Sequence, residues 1–288
     1  MTESPDPPIA ERAAAILGWT PSRWRRVHGG YTPAARYVGE HRGERCFLKV
    51  ATNAVTRGML RREARAYGAI AGDFVPAFIG WEDDAEAPLL LIEDLSEAVW
   101  PPPWTPTLVE QVRSAIADMH ARSADLPGMA ELPGILGGWS VVAEDPQPFL
   151  SLGLASATWL DKALPALVAA EAACPIAGEA LTHVDLRSDN ICITPAGPKF
   201  IDWAAACRGN PALDLGGWLP SLELEGGPPP EALLPGHPEV AAWLSGYFAA
   251  RAGRPIIPDA PRVRAIQRAQ LTKALPWAQR ALGLPPLD

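Results

Sequence analysis

The stretch from His183 to Asp202 constrains this chain more than any other. It opens with an H-x-D-x-x-x-x-N pattern, His-Val-Asp-Leu-Arg-Ser-Asp-Asn. Two short apolar runs follow, split by Pro195-Ala196-Gly197, and Asp202-Trp203 closes the segment. Residues 191–194 and 198–201 are strand-like, and the segment between them has turn chemistry, so the spacing predicts a β-hairpin. Counted about Ala196, the register sets 194 against 198, 192 against 200 and 190 against 202. Asn190 and Asp202 are then expected at the open end, ~5 Å apart at Cα. A hairpin set into an otherwise helical half requires a mixed α and β architecture.

The residue types at that open end point to chemistry. One amide and one carboxylate are hard oxygen ligands suited to Mg²⁺ that carries phosphates. Asp185 lies on the loop just before and is placed to accept a hydrogen bond from an attacking hydroxyl. Phosphoryl transfer asks little more of a protein than such positioning and neutralised phosphate charge. His183 is expected to brace the loop, and Asp214 in Asn210-Pro-Ala-Leu-Asp to brace it from further along the chain. A lone D-x-x-x-x-N arises often by chance. Combined with His183, the hairpin length and an Asp that ends an apolar strand, it does not.

A second constellation lies upstream. Lys49 sits in the strand-like run 45–50, paired with 36–39 across a turn near Arg42-Gly43. Helical spacing over 55–71 gathers Val55, Met59, Leu60, Ala66, Tyr67 and Ile70 on one face, with arginines on the other. Glu63 falls near the centre of the apolar face. An inward carboxylate needs a cation, and Lys49 is the nearest by topology. Such a pair lets Lys49 reach phosphates while Glu63 holds it. Gly29-Gly30-Tyr31-Thr32 precedes Lys49, and a glycine turn brings backbone N–H groups close to phosphates.

Further strands are expected at 74–81 and 89–92. The proline cluster at Pro101-Pro102-Pro103 marks a junction region. Beyond Pro106 the spacing is helical, through Leu108, Val112, Ile116 and Met119, then Leu160, Leu164 and Leu167, and finally over 262–282, where Pro276 should kink or break the helix. The fold class is α+β. An N-terminal, nucleotide-binding part is expected at 1–95 and a catalytic, substrate-binding part at 96–288.

Composition excludes several partners. The formal net charge of -8 disfavours nucleic acid and anionic membranes. No run reaches the ~18 apolar residues of a membrane span. The N-terminus lacks a basic start and an apolar core, which argues against export and for a cytoplasmic protein. Cys46, Cys174, Cys192 and Cys207 share no CxxC spacing and read as reduced core thiols. The P-loop, zincin, α/β-hydrolase and Rossmann motifs are all missing.

Taken in order, Gly29-Gly30, Lys49, Glu63, Leu91-Ile-Glu-Asp-Leu95, His183-x-Asp185-x4-Asn190 and Ile201-Asp202-Trp203 resemble the aminoglycoside phosphotransferase family of small-molecule kinases. The resemblance covers residues 25 to 250. It implies a bilobal protein-kinase-like fold, with a small β-rich N-terminal lobe and a larger, mainly helical C-terminal lobe. It implies an ATP-dependent kinase acting on a hydroxyl of an aminoglycoside-, sugar- or amino-alcohol-like substrate. Asp185 is then the base or hydroxyl-orienting residue, and Asn190 and Asp202 hold Mg²⁺. Gly30, Thr32, Lys49 and Glu63 serve the ATP phosphates, and the segment Glu93 to Leu95 meets adenine. Family members often have Gly where Val184 stands and His-Pro-Gly where Arg187-Ser188-Asp189 stands. The rival reading is a catalytically inactive kinase-fold binding protein, which retention of Lys49, Asp185, Asn190 and Asp202 together argues against.

The helical half is expected to select the substrate. Polycationic aminoglycosides would need carboxylates, for which Glu223, Glu225, Glu231 and Glu239 are candidates; equally, these four suit a solvated acidic loop. The last helix is basic instead, with Arg262, Arg264, Arg268, Lys273 and Arg280.

Overall fold

Lys49 shows how strand periodicity shapes the N-terminal part. In the computed structural model, which describes residues 4–132, 134 and 138–288, a helix α1 (Pro7–Leu17) is followed by β1 (Arg23–Arg26), β2 (Ala35–His41), β3 (Glu44–Val50), α2 (Ala54–Ala69), β4 (Phe78–Glu82) and β5 (Leu89–Ile92). The five strands form one antiparallel sheet in the order β1-β2-β3-β5-β4. Side chains alternate along a strand. Cys46, Leu48 and Val50 therefore share one face and cluster with Trp24, Leu89, Leu91 and Ala13 of α1. Lys49 must take the other face, towards α2.

Local signals fix these elements. Arg42 and Gly43 both have positive φ, 51° and 92°, as a two-residue hairpin turn between β2 and β3 requires. At the start of α2, the Asn53 side chain accepts the Thr56 N–H at 2.9 Å, while Thr56 Oγ1 accepts the Asn53 N–H at 3.0 Å. Leu60, Glu63, Ala66 and Tyr67 are buried as the spacing predicts, but Val55 is 65% exposed. It lies in the first turn, where Thr56 takes the inward position. The strand expected at 74–81 begins only at Phe78. Pro76 has no N–H to give a ladder, and Phe74 instead sets its ring 6.3 Å from Phe200 and 6.0 Å from Trp203.

After β5 come α3 (Pro106–His120), α4 (Trp139–Glu144), α5 (Gln147–Leu150), α6 (Ala157–Ala173), β6 (Ala180–Thr182), β7 (Ile191–Thr194), β8 (Gly197–Phe200), β9 (Cys207–Gly209), α7 (Pro211–Leu224), α8 (Pro230–Leu233), α9 (Pro238–Ala252) and α10 (Val263–Ala281). The break expected at Pro276 is absent, for α10 runs through it. Ala274, Leu275, Trp277 and Ala278 flank the proline and are all buried, so packing outweighs the lost hydrogen bond.

Pairing in the β7–β8 hairpin differs by one residue from expectation. Ile191 pairs with Phe200, Cys192 with Lys199 and Thr194 with Gly197. The turn is Pro195-Ala196, and Thr194 Oγ1 closes it by accepting the Ala196 N–H at 3.2 Å. Glycine therefore belongs to the strand, and the register that would set 190 against 202 does not occur.

The chain divides into two compact units. The first holds residues 1–100 and 191–206, the second 101–190 and 207–288. The sequence boundary after residue 95 missed the hairpin's membership of the sheet unit. Its physical basis is the Phe200 N–H donated to the Phe74 carbonyl at 2.7 Å and the bridge between Val99 and Ile193.

Candidate active site

Within the first unit, Lys49 and Glu63 meet. Each is 4% exposed, and Lys49 Nζ lies 2.6 Å from Glu63 Oε1. The same ammonium also contacts Asp202 Oδ1. Asp202 stands just past the hairpin with φ 66° and ψ 56°. The turn after it is tied to α2, where Arg62 Nε donates to the Ala204 carbonyl at 3.1 Å. Helix α2 thus supports both carboxylates. Burial alone would lower the Lys49 pKa, but Asp202 and Glu63 more than offset it and raise it. Burial pushes the Glu63 carboxyl up, and Lys49 pulls it back only in part. One ammonium against two carboxylates leaves the cluster with one negative charge in excess. The Asp202 side chain is 37% exposed, so it can receive a further cation.

The glycine loop links β1 to β2. Gly29 and Gly30 have φ of 140° and 72°, which favour glycine. A Cβ on Gly30 would stand 2.7 Å from the Arg36 guanidinium. That side chain fastens the loop: Nη1 donates to the carbonyls of Gly29 and Ala34 at 3.2 and 2.9 Å, and Nη2 to Thr32 Oγ1 at 3.1 Å. Arg36 pairs with Lys49 across β2 and β3. Sequence reasoning passed over it, although that cross-strand position was countable from the turn at Arg42-Gly43.

Glu93 and Leu95 sit at the end of β5. The Glu93 carboxylate accepts the Ala77 N–H at 2.9 Å and lies 3.1 Å from Lys199 Nζ on the hairpin. The Leu95 carbonyl receives the Ala98 N–H and the Trp100 indole, at 3.1 and 3.3 Å.

The second unit holds Asp185 and Asn190. His183 is fully buried, and its Nδ1 accepts the Asp185 N–H at 3.3 Å. Asp214, 1% exposed, braces the loop: Oδ2 accepts the His183 N–H at 2.7 Å and Oδ1 the Val184 N–H at 2.6 Å. His120 Nε2 lies 3.1 Å from the same carboxylate. Val184 has φ 68°, a strained conformation for a β-branched residue and an easy one for glycine. Asn190 Nδ2 donates to the Asp185 carbonyl at 2.8 Å and reaches its carboxylate at 3.3 Å. Arg187 contacts Asp185 Oδ1 and, at 2.9 Å, Asp189 Oδ1. The departure from the usual loop thus places a guanidinium on the candidate base.

The glutamates considered for a polycation are already engaged. Glu223 lies 3.3 Å from Lys273, Glu231 2.6 Å from Arg280 and Glu239 2.9 Å from His237. Glu225 accepts the Trp104 indole N–H at 2.7 Å.

This sheet-and-helix architecture recurs in enzymes that transfer phosphoryl groups to hydroxyls. A variant of the aminoglycoside phosphotransferase APH(4)-Ia, solved with ADP and hygromycin B, aligns over 96% of this chain and 98% of its own, with a TM-score of 0.61 and 14% identity. Spectinomycin phosphotransferase APH(9)-Ia, solved with ADP and spectinomycin, aligns over 98% and 100%, with 0.62 and 12%. Choline kinase LicA from Streptococcus pneumoniae aligns over 96% and 97%, with 0.56 and 13%. At such identities the likeness is one of fold, the protein-kinase-like fold. No curated protein matches the chain. The family model for phosphotransferase enzymes matches residues 23–266, and the chain belongs to that family.

Proposed function

We propose that the chain is an ATP-dependent kinase that moves the γ-phosphoryl group onto a hydroxyl of a small molecule, in the cytoplasm. The observation that carries this reading is the buried Lys49–Glu63–Asp202 cluster. A buried lysine between two carboxylates is a costly arrangement without a phosphate-binding purpose. The first unit would serve the nucleotide: Lys49 at the phosphates with Glu63 holding it, the loop of Gly30 and Thr32 over them, and Glu93 to Leu95 at adenine. Asp202 and Asn190 fit Mg²⁺ by donor chemistry, a carboxylate and an amide oxygen. The metal would neutralise phosphate charge.

Asp185 would orient the acceptor hydroxyl. Its oxygen forms a bond to γ-phosphorus as the bond to the β–γ bridging oxygen breaks, ADP leaves, and the hydroxyl proton passes to the Asp185 carboxylate. Asn190 and Arg187 hold that carboxylate in place.

The test is calorimetric titration with Mg·ATP, together with ADP release over a panel of alcohols. Wild type should bind and turn over, and Asp185→Asn should bind but not turn over. A chain that neither binds Mg·ATP nor releases ADP with any alcohol is not a kinase. Binding without turnover would mark an inactive binding protein.

A further inference from the structure

Helix α9 has one half-buried stripe. Ten of its residues are buried. From Glu239 onward, those that are not are Glu239, Trp243, Tyr247 and Arg251. A spacing of four puts them on one side of the helix. Trp243 and Tyr247 stack, with ring centroids 6.2 Å apart and planes at 14°. The Arg251 guanidinium lies 4.1 Å from the centre of the Tyr247 ring. It is pinned there by donating to the carbonyls of Tyr247 and Gly134 at 3.0 and 2.8 Å.

Helix α9 packs against α7, the helix that braces the loop of Asp185. Gly216 of α7 lets α9 approach so closely that a Cβ there would meet Val240 and Leu244 at 2.7 and 2.8 Å. Helix α7 also carries Asp214 and Ser221, which hold the loop through His183, Val184 and Ser188. Burial pushes the Tyr247 phenol up, and the charges it feels are those of Arg251, Asp185, Arg187 and Arg264.

We propose that this stripe is the acceptor platform, and that the acceptor is a hydroxylated ring without positive charge, such as a neutral or acidic sugar or cyclitol. The inference rests on the kinase reading. Stacked aromatic side chains offer a flat apolar surface to a ring. The Tyr247 ring already stacks on Trp243 and holds the Arg251 guanidinium. Around it stand three guanidiniums, of Arg251, Arg187 and Arg264, against the single carboxylate of Asp185, so a substrate ammonium brought there would meet more like charge than unlike. Of the four glutamates considered for a polyamine, Glu223, Glu231 and Glu239 are paired with Lys273, Arg280 and His237, and Glu225 accepts the Trp104 indole N–H.

The test gives the full chain and Mg·ATP two sets of acceptors: methyl glucoside, myo-inositol and glucuronate, against kanamycin, hygromycin B and choline. ADP release above the acceptor-free rate is expected with a member of the first set and with none of the second. Trp243→Ala should raise the KM for that acceptor about tenfold with little change in the KM for ATP, and Trp243→Phe should recover most of the loss. Turnover of any polyamine or of choline overturns the proposal. So does a first set that shows neither turnover nor saturation-transfer contact with a protein that binds Mg·ATP. Absent Mg·ATP binding instead sinks the kinase reading, and this inference with it.

Discussion

Replacing Asp214 by Asn changes one atom of a buried brace and should loosen the catalytic loop. The carboxylate receives two backbone N–H groups, from His183 at 2.7 Å and Val184 at 2.6 Å, one on each oxygen. An amide has a single acceptor, so in either orientation one N–H faces an NH₂ group. A hydrogen bond to a charged group contributes ~1.5–3 kcal/mol, and a buried unsatisfied donor costs ~1–3 kcal/mol. The surviving bond also weakens, since its acceptor is now neutral. Against this, Val184 at φ 68° stores ~1–2 kcal/mol that loop relaxation releases. The net loss is about 3 kcal/mol. For 288 residues, an unfolding entropy of ~2.1 cal/mol/K per residue turns that into a fall in Tm of about 5 °C. Calorimetric melting reads it directly. The same relaxation displaces Asp185, and a shift of ~1 Å lowers kcat by about 10²-fold. A Tm within about 1 °C of wild type, with unchanged kcat, would show that something other than Asp214 holds the loop.

Lys49→Met leaves two carboxylates facing each other and should cost ~3–5 kcal/mol at pH 7, measured by urea unfolding. The raised Lys49 pKa stabilises the fold fully below the unfolded value of ~10.4, and that contribution is lost as pH rises through the folded value above it. An alkaline titration of stability should therefore steepen above pH ~10.4 in wild type and not in Lys49→Met. Arg187→Ala should lower kcat by about 10-fold or more with little change in the KM for ATP, and Arg187→Lys should restore part of it, as steady-state kinetics would show. Burial pushes the thiols of Cys46 and Cys207 up to about 11 and those of Cys174 and Cys192 to about 12. None should react with Ellman's reagent in the folded protein at pH 8, and all should after denaturation.

Side-chain type and periodicity carried much of this structure. The meeting of Lys49 with Glu63 followed from parity on a strand and an arc on a helix, both of which are local. Strand β5 was legible for the same reason. What failed depended on contacts that residue types and spacing do not show. The hairpin register turned on whether Gly197 belongs to the turn or the strand, and Thr194 Oγ1 decides that in space. Pro276 reads as a breaker until its neighbours are seen buried on both sides. The position of Arg36 opposite Lys49 was countable, but nothing in its own segment reveals the loop that it fastens. The glutamates of the helical half could not be judged without their partners, Lys273 and Arg280, which come dozens of residues later.

The hairpin gives the chain an unusual genetic grammar. Coding sequence for the sheet unit is interrupted: it runs to residue 100, stops, and resumes at 191–206. A single crossover or truncation after residue 100 cannot deliver that unit whole, because Phe74 and Val99 would lose the strands they bond to. Exchange between relatives must occur at three junctions in register, or keep the whole chain. The two units are therefore simplest to keep as one piece, and on the platform proposed above a new acceptor preference would arise by substitutions within α9 and its neighbours.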